Sequence, residues 1–390
     1  MDEKIHDELT VDEYSLKEIF YKGLDMKKIL VVLIGLVFIF SGCDKKKENN
    51  EQRNNLIMGA VIPLTGEVAT YGKDLQKGFD LYLEDKLDIK IKYFDTKSNA
   101  KDAVNAITKL NSEKIFFALG DATSGNTLAM ASVANKNQII LFTPIATSDK
   151  LQEAGEFIFR NSPKNEKQAN RAYDFLIKER HKNRIGVVYK NSAYSTNLAK
   201  VFKDIIKNEN KGIEICNVNY NETTDFRIVI EKLKECNVDS VFIPNNYEDT
   251  ARFLKQLKEN NLNVDVVSTD GSYSEKLIEI ARGSTDNFYL TMMEVDKKNL
   301  FYQEFVKKYK NKYHEEPNIF TAYGYEAIAI LSKAIDLSSV KNSTEVRAKL
   351  LSTKFDSLTG ILTFDKTGEL DRSYGIMKVN NDKFIGYKEN

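Results

Sequence analysis

The groups in this chain best suited to holding a small charged molecule stand at the ends of short apolar runs. Ser124 follows Gly120-Asp121-Ala122-Thr123 and leads into a helical stretch, whose first N–H groups lack intrahelical acceptors and attract anions. Thr147 comes just after Phe142-Thr143-Pro144. Together the two hydroxyls suit a carboxylate; the other role open to each is capping a helix or a turn. Asp270 ends the run Val266-Val267-Ser268-Thr269, a loop position where a carboxylate can meet an ammonium group out of water, or else can cap a helix beginning near Ser274. Tyr71, Tyr194 and Tyr247 follow strand-like runs or open helices, and a tyrosine offers a rigid face and a hydroxyl at little entropic cost. With 19 Tyr in the chain, the residue type alone is no signal.

Other chemistries find little support. Gly120 to Thr127 has the outline of a phosphate-binding GxxxxGK[ST] loop, but Asn126 stands where the lysine is needed. The three His are His6, His181 and His314, too scattered for a triad or a metal cluster. Asp365, Thr367, Glu369 and Asp371 alternate as calcium ligands do, yet the segment is shorter than an EF-hand loop and reads as a turn. No enzyme, metal or cofactor is expected. Lys+Arg and Asp+Glu are both 57, so no basic field exists to hold nucleic-acid phosphates. Of the three cysteines, Cys216 ends a strand-like run and Cys236 the following helix. Two buried thiols are the simpler reading, with a disulfide open in an oxidising compartment.

The elements that carry these residues alternate. A chain of 390 residues exceeds one hydrophobic core, so two compact units are expected. Strand-like runs occur at 56–63, 89–94, 114–120, 139–143, 184–189, 212–220, 239–244 and 265–269. Between them lie helical stretches such as that from Tyr71 through Leu75 and Phe79, and one capped by Asn99. This argues for an α/β fold with parallel sheets flanked by helices. Later, 299–313 and 319–335 read as long helices, and 360–364 and 374–379 as antiparallel ribbons with turns at 365–368 and 380–382.

The N-terminal segment sets the compartment. Lys27-Lys28, the apolar stretch Ile29 to Phe40 and Ser41-Gly42-Cys43 follow the order of an export signal. The 12 residues from 29 to 40 span about 18 Å as a helix, short of the roughly 30 Å hydrocarbon core. Small residues before Cys43 resemble a bacterial lipobox, in which that cysteine is lipidated and becomes the new N-terminus; Phe40 departs from the Leu usual three residues earlier. The expectation is a signal peptide at 26–42, lipidation of Cys43, and a polar tether at 43–55 that cannot bury enough surface to fold. Residues 1–25 read either as the result of a start codon placed too early or as an unusual extension.

Four stretches resemble the leucine/isoleucine/valine-binding proteins of ABC importers. They are Gly59-Ala60-Val61-Ile62-Pro63-Leu64-Thr65-Gly66 with Ala69-Thr70-Tyr71-Gly72 and Gly78; Gly120 to Thr127 with Phe142 to Thr147; Arg184 to Tyr189 with Tyr194; and Phe320 to Ala327 with Gly360 and Phe364 to Gly368. The resemblance implies two Rossmann-like lobes joined by three crossovers, the type I periplasmic-binding fold, with residues 56–164 and 294–370 in one lobe and 165–293 and 371–390 in the other. It implies a cleft at the carboxyl ends of the strands. There Ser124 and Thr147 would hold an amino-acid carboxylate, the Ile145 carbonyl and Asp270 the ammonium, and Tyr71, Tyr194 and Tyr247 the walls. The function implied is an exported solute-binding lipoprotein, anchored to the cell membrane on its periplasmic or outer side. It would deliver a branched-chain or other neutral amino acid to ABC permease subunits. The alternatives are a sensing module for a signalling partner, or a binder of a different solute such as an amide.

Overall fold

The computed structural model describes residues 56–86, 88–209, 212–222 and 225–387. The export signal, Cys43 and the tether lie outside the described residues. From its start the described chain alternates strand and helix: β1 (Leu56–Ile62), α1 (Ala69–Leu83), β2 (Ile89–Asp95), α2 (Ala100–Ser112), β3 (Phe117–Gly120), α3 (Ser124–Lys136), β4 (Ile140–Thr143) and β5 (Ile158–Arg160). These strands make one sheet in the order β2-β1-β3-β4-β5, with β1, β3, β4 and β5 parallel. A second run follows: α4 (Asn165–Tyr173), β6 (Arg184–Lys190), α5 (Ala193–Glu209), β7 (Glu214–Tyr220), α6 (Arg227–Glu235), β8 (Ser240–Phe242), α7 (Tyr247–Glu259), β9 (Asp265–Ser268), α8 (Glu275–Ala281) and β10 (Phe288–Met293). The chain then supplies α9 (Leu300–Tyr313), α10 (Ile319–Asp336), α11 (Ser343–Ser352), a hairpin of β11 (Phe355–Ser357) and β12 (Gly360–Leu362), and finally β13 (Tyr374–Asn380) and β14 (Lys383–Gly386).

The second sheet runs β14-β13-β10-β9-β8-β6-β7. Strands β6 to β10 are parallel in it, while β13 and β14 add an antiparallel edge. A connection that leaves one sheet, builds another and returns accounts for two lobes, each with its own core. Around β3 and β4 the first buries Ile107, Leu110, Met130 and Leu141; around β6 the second buries Phe175, Val187, Phe202 and Phe242. Full burial of each such side chain stabilises by about 1.5–3 kcal/mol. Because helices cover both faces of the central strands, β4 and β10 are buried along their whole length rather than alternating, and are apolar but for Thr143 and Thr291 and the Tyr289 hydroxyl.

Helix starts follow local chemistry. The Asn99 side chain accepts from the Asp102 N–H at 2.9 Å, as its position before α2 predicts, and Asn318 caps α10 through the Thr321 N–H at 2.8 Å. Helix α10 lies hard against α1: a Cβ on Gly78 would fall 2.3 Å from the Thr321 carbonyl, so only glycine permits this approach. That contact holds α1, whose first turn reaches the cleft, on the first lobe.

Four points differ from the expectations. Gly360–Leu362 does pair as an antiparallel ribbon, but with β11, while β13 pairs with β10 and β14. The turn at 365–368 is an isolated one, closed by the Asp365 carboxylate accepting from the N–H groups of Thr367 and Glu369. Strands β5 and β10 were not expected: Ile158–Arg160 is too short to show a period, and the apolar run Phe288–Met293 fits strand or helix equally. Cys216 and Cys236 form a disulfide with Cα atoms 6.1 Å apart, against the reading of two buried thiols, because α6 folds back onto β7. Among the described residues no helix is long and apolar enough to cross a membrane.

Candidate functional site

The ends of the strands meet in a cleft between the lobes, and a cavity of about 260 Å³ lies within it. From the first lobe its wall takes Val68 and Tyr71 at the start of α1, Thr123 to Gly125 at the start of α3, and Ile145 after β4. The second lobe contributes Lys190 to Tyr194 between β6 and α5, Asn246 before α7, and Asp270 and Gly271 after β9. Carboxyl ends of strands face the cavity because each βα turn ends in a helix start that points its free N–H groups there.

On the first lobe the Thr123 side chain accepts from the Asn126 N–H at 3.3 Å, so Thr123, not Ser124, caps α3. Ser124 Oγ accepts from the N–H groups of Thr147 and Ser148 at 3.3 and 3.1 Å, tying the loop after β4 to the start of α3. Its hydroxyl hydrogen and the first-turn N–H groups of α3 make this wall a donor surface. Beneath it Asp121 is fully buried and held by Thr96, Thr123 and Asn126. Burial pushes its carboxyl up, and those hydrogen bonds partly offset the shift.

The opposite wall centres on Asp270, 3% exposed, which heads a short 3₁₀ turn. Tyr194 donates to its Oδ1 at 2.5 Å, and the Gly271 N–H donates to the same oxygen at 2.9 Å. Among the described residues Oδ2 has no hydrogen-bond partner. Burial pushes the Asp270 carboxyl up; Tyr194 and, close by, Gln168 and Tyr374 pull toward the ionised form. Burial, with Asp270 alongside, pushes the Tyr194 hydroxyl well up, so it remains a donor. Ser274, not Asp270, caps α8, accepting from the Lys276 N–H at 3.2 Å. At Gly271 a Cβ would meet the Tyr194 ring edge at 3.0 Å, so the close approach of these two residues favours glycine.

The lobes are joined across the cleft. Tyr71 donates from its hydroxyl to the Gly271 carbonyl, Tyr247 donates to the Glu67 carbonyl at 2.8 Å, and Lys190 pairs with Glu67 at 3.2 Å. The Tyr71 and Tyr247 rings meet edge to face at 5.5 Å.

Of the residues singled out in the sequence, Tyr71, Ser124, Ile145, Tyr194 and Asp270 therefore line one cavity. Two do not. Thr147 is wholly buried behind Ser124 with no partner for its hydroxyl among the described residues, and Tyr247 is turned into the lobe contact, where it supports Tyr71. Both stand at the correct loop position, but packing turned their side chains away. Glu67, Lys190, Asn246 and Phe320 also line the cavity and were missed. Position offered a signal for Lys190, the last residue of a strand, and for Asn246, just before a helix. Among the described residues no cluster of His, Cys, Asp and Glu suits a metal ion.

Two α/β lobes with a small cavity of mixed polar and apolar lining at their strand ends have the architecture of a solute-binding protein. The chain matches the periplasmic binding protein family over residues 57–383 and belongs to it. It is 25% identical to Leu/Ile/Val-binding protein homolog 3 of Brucella melitensis, over 85% of this chain and 93% of that one. In structure it resembles a leucine-binding protein, LivK, of Thermotoga maritima, with TM-score 0.82 at 23% identity, over 86% of this chain and 98% of that one. A Rhodopseudomonas palustris solute-binding protein in complex with benzoate superposes with TM-score 0.76 at 19% identity, over 85% and 95% of the two chains. At such identities the two solved structures bear on the fold alone.

Proposed function

We propose that this chain is the lipid-anchored solute-binding component of an ABC importer and that its solute is a small α-amino acid. The observation that carries the ligand class is Asp270: a carboxylate withdrawn from water in the cavity with one oxygen unpartnered among the described residues. A buried carboxylate oxygen without a donor is costly unless a cation reaches it. An α-ammonium supplies that cation, and the start of α3 with the Ser124 hydroxyl faces the α-carboxylate. An aromatic acid such as benzoate has no group for Asp270. Ile145, Tyr71 and Phe320 offer apolar wall to the side chain. The relative's name puts leucine, isoleucine and valine among the solutes to test. Thr147 acts in this reading through its N–H bond to Ser124, and Tyr247 through Tyr71, rather than by touching the solute.

The lobes proposed are 56–164 with 294–370 and 165–293 with 371–390, hinged near residues 164, 293 and 370. Solute would bind the open form and draw the lobes together. Export through the signal at 26–42 and lipidation of Cys43 fit a disulfide elsewhere in the chain, since such bonds persist in oxidising compartments.

Calorimetric titration of the purified protein with a panel of amino acids, alongside benzoate, tests the ligand class. Micromolar or tighter binding of at least one amino acid is expected; binding of benzoate and of no amino acid would sink the reading. Anchoring is tested by detergent-phase partitioning of the wild type against Cys43→Ser: only the wild type is expected in the detergent phase.

A further inference from the structure

Part of the cavity wall carries charges that an amino acid's α-groups do not use. Lys190 closes β6 with its side chain only 12% exposed, and its ammonium lies 3.2 Å from Glu67, 3.0 Å from Glu222 and 3.6 Å from Asp249. An ammonium has three N–H donors and no acceptor, and this one lies among carboxylates, donating to both oxygens of Glu67. Glu67 and Glu222 face the same cavity with acceptor capacity left over, Glu222 at the outer rim and Glu67 deeper, at 40% side-chain exposure. Two neighbouring donors are already used within the protein. The Ser98 hydroxyl donates to the Thr65 carbonyl at 3.0 Å, and the Asn191 amide donates to Asn221 at 2.8 Å. Tyr247 meets the Glu67 backbone and not its carboxylate, whose two oxygens accept from Lys190 at 3.2 and 3.5 Å and keep further lone pairs. This stretch of wall therefore has acceptors in excess.

We infer that the solute carries a hydrogen-bond donor at the end of its side chain, an amide or an ammonium, which meets the Glu67 carboxylate beside Lys190. The inference rests on the amino-acid reading and narrows it. A branched aliphatic side chain that fills the cavity would cover the Glu67 carboxylate without offering it a donor, and an acidic one would oppose Glu67 and Glu222, which already share the Lys190 ammonium. Glu67 comes from the first lobe and Lys190 from the second, so the wall is complete only in the closed form. It thus tests the side chain at closure rather than at first encounter.

Glutamine, lysine, leucine and glutamate, titrated by calorimetry into the wild type and Glu67→Gln, decide the matter. Glutamine or lysine is expected to bind at least about tenfold more tightly than leucine, with glutamate weakest. In Glu67→Gln the glutamine-to-glutamate affinity ratio is expected to fall about tenfold, because the new amide both donates and accepts. Weakened closure alone would lower both affinities and leave the ratio unchanged. Leucine binding more tightly than glutamine and lysine, or an unchanged ratio in the variant, overturns the inference while the amino-acid site stands. No binding of any of the four to the wild type overturns the inference, and failure of the whole amino-acid panel overturns the amino-acid reading with it.

Discussion

Glu326 on α10 and Asp270 after β9 are both carboxylates taken out of water, 0% and 3% exposed. Each oxygen of Glu326 accepts two hydrogen bonds: Oε1 from the Leu358 N–H and Arg372, both at 2.6 Å, and Oε2 from Asn161 at 2.6 Å and Arg372 at 2.7 Å. Asp270 has two bonds on one oxygen and, among the described residues, none on the other. Glu326 joins α10 to the chain just after β5 and just before β13, where the first lobe gives way to the second, and nothing remains for a solute to supply. Asp270 lines the cavity. A filled set of partners marks a buried charge that holds the fold; the half-filled set at Asp270 is the one the proposed ammonium would complete.

That contrast can be broken from either side. Glu326→Gln removes the counter-charge of Arg372 and leaves a buried guanidinium unpaired, which costs about 3–5 kcal/mol. Thermal unfolding should show the loss, while affinity per folded molecule stays near wild type. Asp270→Asn should do the reverse, costing about 2–5 kcal/mol of binding, or on the order of 30- to 5,000-fold. Its stability without solute should be equal or higher at neutral pH. In the empty protein the raised Asp270 carboxyl is a liability that grows as pH rises from the ordinary carboxylate range through the raised value, and Asn removes it.

The same shift sets the pH dependence of binding. Below the raised value the empty site is protonated and must lose its proton to meet an ammonium, so affinity should fall by up to about tenfold per pH unit there. An affinity flat across that window in the wild type would remove Asp270 from the ammonium's reach. The smallest effect is expected at Tyr247→Phe. Its hydroxyl bond to Glu67 bridges the lobes and is worth about 0.5–1.5 kcal/mol, so titration should show affinity about two- to tenfold weaker, with little change in unfolding temperature.

Much of this was legible before any coordinates. Alternating apolar runs and 3.6-residue stretches identify parallel sheets flanked by helices, because strand and helix periods are properties of consecutive residues. The same holds for Asn99 as a cap, a bond that spans only three residues. Ser124, Tyr194 and Asp270 could be singled out because they stand at strand ends or helix starts, where open α/β sheets present one cleft, and because the resemblance to Leu/Ile/Val-binding proteins implies a ligand role there. Strand β5, with three residues and no period, could not.

What the sequence by itself determined, then, is everything carried by near neighbours: the order of elements, the helix starts, and which residues stand at strand ends. Tertiary structure alone decided which of those residues face the cavity. Thr147 and Tyr247 stand at suitable positions and are turned away by packing, while Glu67 and Lys190 meet across 123 residues of chain. The pairing of Cys216 with Cys236 and of Arg372 with Glu326 was decided there too. The reason is physical: a side chain's direction and partner depend on how separate elements pack, and that packing is set by contacts between residues distant along the chain.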